Sequence, residues 1–429
     1  MAVIKPFRAI RPAAQYIEQV AALPYDVYSR AEARAAVQGK PLSFLNIDRP
    51  ETQFPEQQDM YAPEVYQKAS EMLDQEIRDG VFIQDAEPCY YVYELTMDGR
   101  TQTGIAALSS IDDYLNNVCK KHENTVAEKE QDRIHHVDVC SCQTGPIFLA
   151  YRGETKINDI VMETKKTEAL YDFTSEDGIR HRVFRISDPD TVGRLQGYFA
   201  EIPATYIADG HHRAASAVKV GLKRRAEHPD YDGPEEFNYF LSVLFPDEEL
   251  KIMDYNRVVK DLNGYSAEEL MISIEENFQV FHIKEAFKPR VKGEICMYLG
   301  GEWFLIRERE ALMEERSEDP VKTLDVSLLQ DEILKPLLGI GDPRTDQRIE
   351  FVGGIRGLKE LEKRVSRYTY QHAMDGTLEE TGPAVAFAMH PTSISELLNV
   401  ADHGLLMPPK STWFEPKLRS GIFLHRIER

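Results

Sequence analysis

Apolar positions along the chain fall into short runs broken by turn residues, and their period changes from region to region. Between residues 62 and 78, Val65, Ala69, Met72, Leu73 and Ile77 recur at three- and four-residue spacing, which predicts an amphipathic helix ended by Asp79-Gly80. Residues 89–95 and 102–108 are apolar runs joined by Met97-Asp98-Gly99-Arg100, and Asp-Gly between such runs predicts a β-hairpin. Further strands are expected at 42–47, 144–151, 204–208 and 237–245, and a second hairpin around Asp177-Gly178 between two helices. Ser29, after the Pro24-Tyr25-Asp26 turn, is placed to cap a helix. Residues 126–137 carry Glu128, Lys129, Glu130, Asp132, Arg133, His135 and His136 and read as a solvated helix laced with i,i+4 pairs. Beyond 246 the pattern predicts a hairpin of 294–299 with 303–306 turned at Gly300-Gly301, a helix over 321–338, a strand over 384–389 and a helix ending near Asp402. These elements make a mixed α/β (α+β) chain, divided into an N-terminal segment 1–85, a core 86–245 and a C-terminal α+β unit 246–429. No internal repeat or low-complexity segment interrupts it.

One stretch concentrates chemistry. After the apolar run 204–208 come Asp209, Gly210, His211, His212 and Arg213, and then an Ala-rich helical run that Gly221 is expected to stop. Asp209 is of the type that caps a helix, and Gly210 lets backbone approach a ligand closely. His211, His212 and Arg213 then occupy the first turn, where unpaired N–H groups and the positive dipole end favour an anion. The plainer alternative is a capped helix with solvated polar residues. Two imidazoles and a guanidinium behind a buried strand favour a phosphate site.

Composition narrows the setting. The 429 residues suffice for two or three domains, and 42% hydrophobic with 29% charged residues is ordinary for a soluble globular chain. No run approaches the roughly 18 apolar residues of a membrane helix, and residues 1–8 lack the apolar core of a signal peptide, so a cytoplasmic protein without a membrane partner is expected. Five cysteines do not make a disulfide framework, Cys140-Ser141-Cys142 is too tight for a zinc knuckle, and all five are expected to be buried or idle thiols. Net charge is −21, which repels polyanions at long range but leaves room for a local cationic pocket.

Lys121-His122-Glu123-Asn124-Thr125 places a cation, an imidazole and an acid within five residues, and Glu123 can serve as a general base if held near a hydroxyl. The alternative is an ordinary polar loop. His122, His135, His136, His211 and His212 have no spacing that enforces a metal site, and Val126 excludes the His-Glu-x-x-His zinc motif. Lys410-Ser411-Thr412 and Lys417 sit in a proline-bracketed loop, for which an exposed surface role is the simpler reading. The Walker loop, the Gly-x-Gly-x-x-Gly fingerprint and the Gly-x-Ser-x-Gly elbow are all absent.

Taken together, Leu23-Pro24-Tyr25-Asp26-Val27, His122-Glu123-Asn124-Thr125 running to Asp132-Arg133, Gly145-Pro146-Ile147-Phe148, Ala208 to Arg213, and Met407 to Thr412 with Pro416-Lys417 resemble a bacterial and archaeal family, domain of unknown function 1015 (DUF1015), over essentially the whole chain. Ala22-Leu23-Pro24 departs from the family's Ala-Pro-Pro without removing the following acid. The central segment also resembles the ParB/sulfiredoxin-type fold, whose Asp/Glu-Gly-His-x-Arg turn binds nucleotide phosphates, and within it kinases of free serine. That resemblance implies ATP or ADP as cofactor with Mg2+. It implies nucleotide or phosphate contacts from Asp209, Gly210, His211, His212, Arg213, Arg133, Lys410, Ser411 and Thr412. Glu123, His122 and Lys121 would be catalytic, Tyr25 and Asp26 would meet the substrate, and Asp209 and Asp26 would hold the metal.

The expected function is therefore transfer of a phosphoryl group to the hydroxyl of a small metabolite, with free L-serine, named by the resemblance alone, as the leading acceptor. The rival expectation is a ParB-like nucleotide switch acting on DNA. The acidic net charge and the lack of a basic recognition helix speak against a nucleic-acid partner.

Overall fold

The computed structural model of the chain describes residues 1–316, 318–372, 378–380 and 382–427. It has two compact units, residues 1–250 with 416–429, and residues 251–415. Residues 1–85, expected as a segment of their own, lie within the first unit, and so does the end of the chain. The reason is a shared core: Ile10, Val20, Phe44, Ala69 and Leu73 pack with Cys140, Cys142 and Leu424. Backbone bridges join Ile10 to Leu424 and Ala22 to Ser420.

The first unit is built on a nine-stranded mixed sheet. Its strands are β1 (Ile4–Lys5), β2 (Tyr90–Met97), β3 (Arg100–Ser110), β4 (Cys119–Lys120), β5 (Ile147–Tyr151), β6 (Tyr171–Thr174), β7 (Arg180–Ile186), β8 (Thr205–Asp209) and β9 (Tyr239–Pro246). They run in the order β4-β8-β5-β9-β3-β2-β7-β6, with β1 added to β3. The pairs β8 with β4 and β5 with β9 are parallel, and the remaining pairs are antiparallel. The β2–β3 hairpin turns at Asp98 and Gly99, both at positive φ, and pairs Met97 with Arg100 as the Asp-Gly signal predicts.

Strand β2 is apolar without alternation because both of its faces are covered. Tyr90 and Val92 join a core with Ile105, Leu149 and Ile207, closed by helix residues such as Ile157, Leu195, Phe199 and Ala214. On the other face Tyr91 and Tyr93 meet the rings of Phe7 and Phe423. Such two-sided burial is worth roughly 1.5–3 kcal/mol per large side chain, and Ile207 of β8 shares the first of these cores just before the polar turn that follows it.

The helices that matter for the site are α1 (Pro63–Arg78), α2 (Ala127–Cys140) and α3 (His211–Glu227). Val65, Ala69 and Leu73 form the buried face of α1, as their spacing predicts. Helix α2 is not merely solvated: it buries Glu130, Arg133, His136 and Cys140. Gly221 does not end α3, which continues to Glu227. A Cβ there would meet the Phe237 carbonyl oxygen at 2.5 Å, so this glycine serves close packing rather than helix termination. The strand expected at 42–47 is a helical turn, Leu45–Asp48, held by Asn46, whose side-chain amide donates to the carbonyls of Lys40 and Pro41.

The second unit carries a six-stranded antiparallel sheet in the order Phe278–Ile283, Glu302–Glu308, Glu294–Leu299, Val385–Met389, Tyr255–Val259, Ile349–Gly353. The expected Gly300-Gly301 hairpin is present, both glycines at positive φ. Ser393 caps the helix Ile394–Asp402 in a capping box with Glu396. The single helix expected over 321–338 is instead a short helix, Asp325–Leu329, running into a π-type turn at Gln330–Leu334. The mixed α+β class and the second α+β unit thus agree with the sequence reading. No helix among the described residues is long and apolar enough to cross a membrane.

Candidate functional site

Strand β8 ends in a bulge, its register against β5 shifting between Ile207 and Asp209, and the chain then turns at Gly210. Gly210 lies at φ +94° and is itself the N-cap of α3, with no side chain capping the helix. This corrects the expectation that Asp209 caps it. Only glycine fits here without strain, since a Cβ would also stand 3.0 Å from the Arg213 guanidinium. His211, His212 and Arg213 occupy the first turn of α3, as expected.

Asp209 points its carboxylate at cations instead. Arg213 Nη2 lies 3.4 Å and Lys417 Nζ 3.5 Å from Asp209 Oδ2. Burial works to raise the Asp209 pKa, but Lys417 and then Arg213 outweigh it and hold the group well below the usual carboxylate range. Arg213 Nη1 donates to the Pro146 carbonyl at 2.6 Å. Burial acts against its charge, and Asp26 followed by Asp209 more than offsets this, so its pKa is raised.

The loop 121–126 is fastened onto this turn by the two histidines. The Val126 N–H donates to His212 Nε2 at 2.9 Å, and the His122 N–H approaches His211 Nε2 at 3.5 Å. The rings of His122 and His211 meet edge-on at 4.5 Å. Accepting at Nε2 assigns the proton of neutral His211 to Nδ1, which stands 3.9 Å from Glu123 Oε2. Burial pushes His122 down to about 4. Burial first and His122 second push His211 well below its ordinary value, so both rings are neutral at pH 7. His122, Glu123 and His211 present one ligand atom each within 4.8 Å of one another, a spacing a cation can bridge and one the sequence did not single out. The exposed Lys121 lies with its ammonium over the Tyr114 ring at 4.8 Å.

The remaining expected residues divide. The Arg133 guanidinium stacks on the Tyr25 ring at 4.1 Å, pairs with Asp132 and donates to the Asp48 carbonyl at 3.3 Å. It therefore anchors Tyr25 in the short turn Tyr25–Val27, from which the exposed Asp26 faces Arg213 electrostatically. Tyr25, Asp48, Arg133, His136, Thr144 and Arg213 line a cavity of about 30 Å³, in which Arg213 Nε and His136 Nδ1 have no hydrogen-bond partner among the described residues. Lys410, Ser411 and Thr412 belong to the second unit. There the Ser411 hydroxyl donates to the Pro408 carbonyl at 2.5 Å, and the Lys410 carbonyl accepts from Arg257.

Lys417 and Asp48 were not among the expected site residues. The sequence places Lys417 in a proline-bracketed loop and in the Pro416-Lys417 pair, with an exposed surface role as the simpler reading; its side chain is in fact only 10% exposed because it packs against Asp209. Asp48 was not singled out at all.

A family model described as protein of unknown function (DUF1015) matches residues 4–327. The chain belongs to the DUF1015 family. The Asp209–Arg213 turn, the 121–125 loop and the Tyr25-Asp26 turn all fall within the matched part, whereas Lys417 lies beyond it. No curated protein matches this DUF1015 chain. Among solved structures it is similar to a free serine kinase in complex with AMP, at 16% identity and TM-score 0.34, covering 74% of this chain and 91% of that one. It is also similar to SbnI with a C-terminal truncation from Staphylococcus aureus, at 9% identity and TM-score 0.37, covering 75% and 87%. A conserved hypothetical protein from Pyrococcus furiosus matches at 17% identity and TM-score 0.33, covering 75% and 95%.

Proposed function

We propose that this protein binds ATP or ADP by its phosphates at the Gly210 turn and transfers a phosphoryl group to the hydroxyl of a small metabolite. The observation that carries this reading is the uncapped N-terminus of α3 flanked by Arg213 and Lys417, with Glu123 beside it against His211. Phosphoryl transfer asks mainly for positioned positive charge and oriented N–H groups, and the turn supplies both. Asp209, ionised and with its side chain 30% exposed, is a hard oxygen donor able to reach Mg2+, and the exposed Asp26 is the second candidate. Held there, Mg2+ would supply positive charge that offsets the charge of the phosphates.

In this reading the acceptor oxygen forms a bond to the terminal phosphorus as the bond from phosphorus to the departing nucleotide oxygen breaks. The hydroxyl proton passes to Glu123. His211, neutral with its N–H toward Glu123, orients that carboxylate, while His122 packs behind His211 and Lys121 adds positive charge at the loop's edge. Tyr25 and Asp26 border the acceptor. Free L-serine is the first acceptor to test, on the motif resemblance to serine kinases, and the AMP named for the matched kinase structure makes adenine nucleotides the first donors to test.

The test is a phosphate-transfer assay of the full chain with ATP and with ADP against a panel of amino acids and hydroxy acids, with Glu123→Gln run alongside. Product that vanishes in the variant while nucleotide still binds supports the reading. No product with any hydroxyl compound, or a fully active Glu123→Gln, overturns it.

A further inference from the structure

We infer a second ligand site in the first unit, a pocket of about 560 Å³ that takes a small zwitterion of the α-amino-acid class. Glu18, Leu23, Tyr28, Lys40, Leu42 and Arg419 line it, and none of them belongs to the turn that carries Asp209. The inference does not rest on the phosphoryl-transfer reading.

Its organising group is Arg419, whose side chain is 2% exposed. Nη2 donates to Ser175 Oγ at 3.0 Å and pairs with Asp177. Nη1 is buried and has no hydrogen-bond partner among the described residues. A guanidinium donor left without a partner in the interior is unfavourable, and native structures rarely keep one without a use. The guanidinium is also held in place from behind. Ser175 Oγ bonds His181 Nε2 at 3.0 Å, and His181 Nδ1 bonds the Tyr93 hydroxyl at 2.9 Å inside the sheet. Arg419 thus lines the pocket as a fixed guanidinium with one arm satisfied and a buried, unpaired Nη1, a donor that a carboxylate entering the pocket would satisfy.

The charge around the pocket selects the ligand class. Lys40 is paired with Glu176 at 2.6 Å and Arg419 with Asp177, while exposed Glu18 at the rim has no ion-pair partner among the described residues. Three carboxylates against two cations disfavour a dianion such as phosphate. A ligand with a carboxylate for Arg419 Nη1 and an ammonium for Glu18 satisfies both ends. Leu23, Ala36 and Leu42 offer apolar surface to its side chain.

Calorimetric titration of the full chain, without nucleotide, against the L-amino acids, acetate and inorganic phosphate tests this, using wild type, Glu18→Gln and Arg419→Lys. Saturable binding of at least one amino acid is expected, weaker by about tenfold or more in each variant, with acetate and phosphate binding less tightly than that amino acid. Glu18 is exposed, so Glu18→Gln reads the site even if Arg419→Lys unfolds. Absence of binding by every amino acid overturns the proposal, as does phosphate or acetate binding as tightly as the best amino acid. Amino-acid binding unchanged in Glu18→Gln places the ligand elsewhere and overturns it too. Loss of phosphoryl transfer activity is not a readout here, so failure of this site and failure of the kinase reading are separate results.

Discussion

Lys417 Nζ stands 3.5 Å from the carboxylate of Asp209, a residue 208 positions earlier in the chain. The contact exists because 416–429 returns to the first unit, where Ala22 and Ser420 exchange backbone hydrogen bonds at 3.2 and 2.9 Å. The end of the chain therefore supplies a cation to the turn that opens α3. It also explains why Asp209 stays ionised although half-buried: burial works against its charge, and Lys417 is the largest influence lowering its pKa.

Replacing Lys417 with methionine keeps most of the side-chain volume and removes the charge. ADP or ATP affinity is expected to fall by about tenfold or more, the value of one charge-assisted contact. Lys417→Arg is expected to retain most of the affinity. Calorimetry on the three proteins checks this, and equal affinity for wild type and Lys417→Met removes Lys417 from the phosphate site.

The histidine pair makes stability depend on pH with a defined sign. His122 has a folded-state pKa of about 4, against an ordinary value of about 6.5. Between these values the unfolded chain binds a proton that the folded chain does not. The contribution of neutral His122 is therefore complete above about pH 6.5 and is lost as the pH falls toward 4, at up to about 1.4 kcal/mol per pH unit. His211, also held neutral, adds in the same direction. Urea unfolding between pH 4.5 and 7.5 is expected to show a shallower pH slope in His122→Gln than in wild type. Identical slopes mean that His122 does not titrate with folding.

Much of this was legible in the sequence, and what was not has physical causes. Helix α1, the two hairpins at Asp98-Gly99 and Gly300-Gly301, strand β8 and the first turn of α3 are set by local patterns of short range, which a sequence shows directly. The 42–47 strand was misread because Phe44, Leu45 and Ile47 are buried, and a short apolar run does not distinguish a strand from one helical turn. The charged face of α2 concealed that Arg133 and His136 are interior groups, since burial of charge depends on partners such as Asp132 and the Ile47 carbonyl that are distant in sequence or chosen by packing. Lys417 was the hardest to see: its partner is set by tertiary structure alone.

Gly221 offers a stability test in which local and tertiary effects oppose each other. In an exposed helix interior, glycine to alanine stabilises by up to about 1 kcal/mol. Here the added methyl would meet the Phe237 carbonyl oxygen at 2.5 Å and Ile111 Cδ1 at 2.9 Å. Overpacking against backbone costs about 1–3 kcal/mol, so Gly221→Ala is expected to destabilise by about 1–2 kcal/mol net. A chemical denaturation midpoint that rises instead would show that α3 moves away from Phe237 readily.

Metal dependence separates two roles for Asp209. As a Mg2+ ligand, its carboxylate helps only when the cation is present; without the cation it is a negative charge beside incoming phosphates. Asp209→Asn is nearly isosteric and leaves Arg213 and Lys417 in place. In EDTA the variant is expected to bind ADP as tightly as wild type or more tightly, because a repulsive charge has gone. With Mg2+ added, wild type is expected to gain affinity and the variant to gain little, and transfer by wild type is expected to stop when EDTA removes the metal. Titrations of both proteins with and without Mg2+ read this directly. Equal enhancement by Mg2+ in the two proteins moves the metal away from Asp209, toward Asp26 or the His122, Glu123 and His211 cluster, and activity that persists in EDTA removes the metal from the reaction.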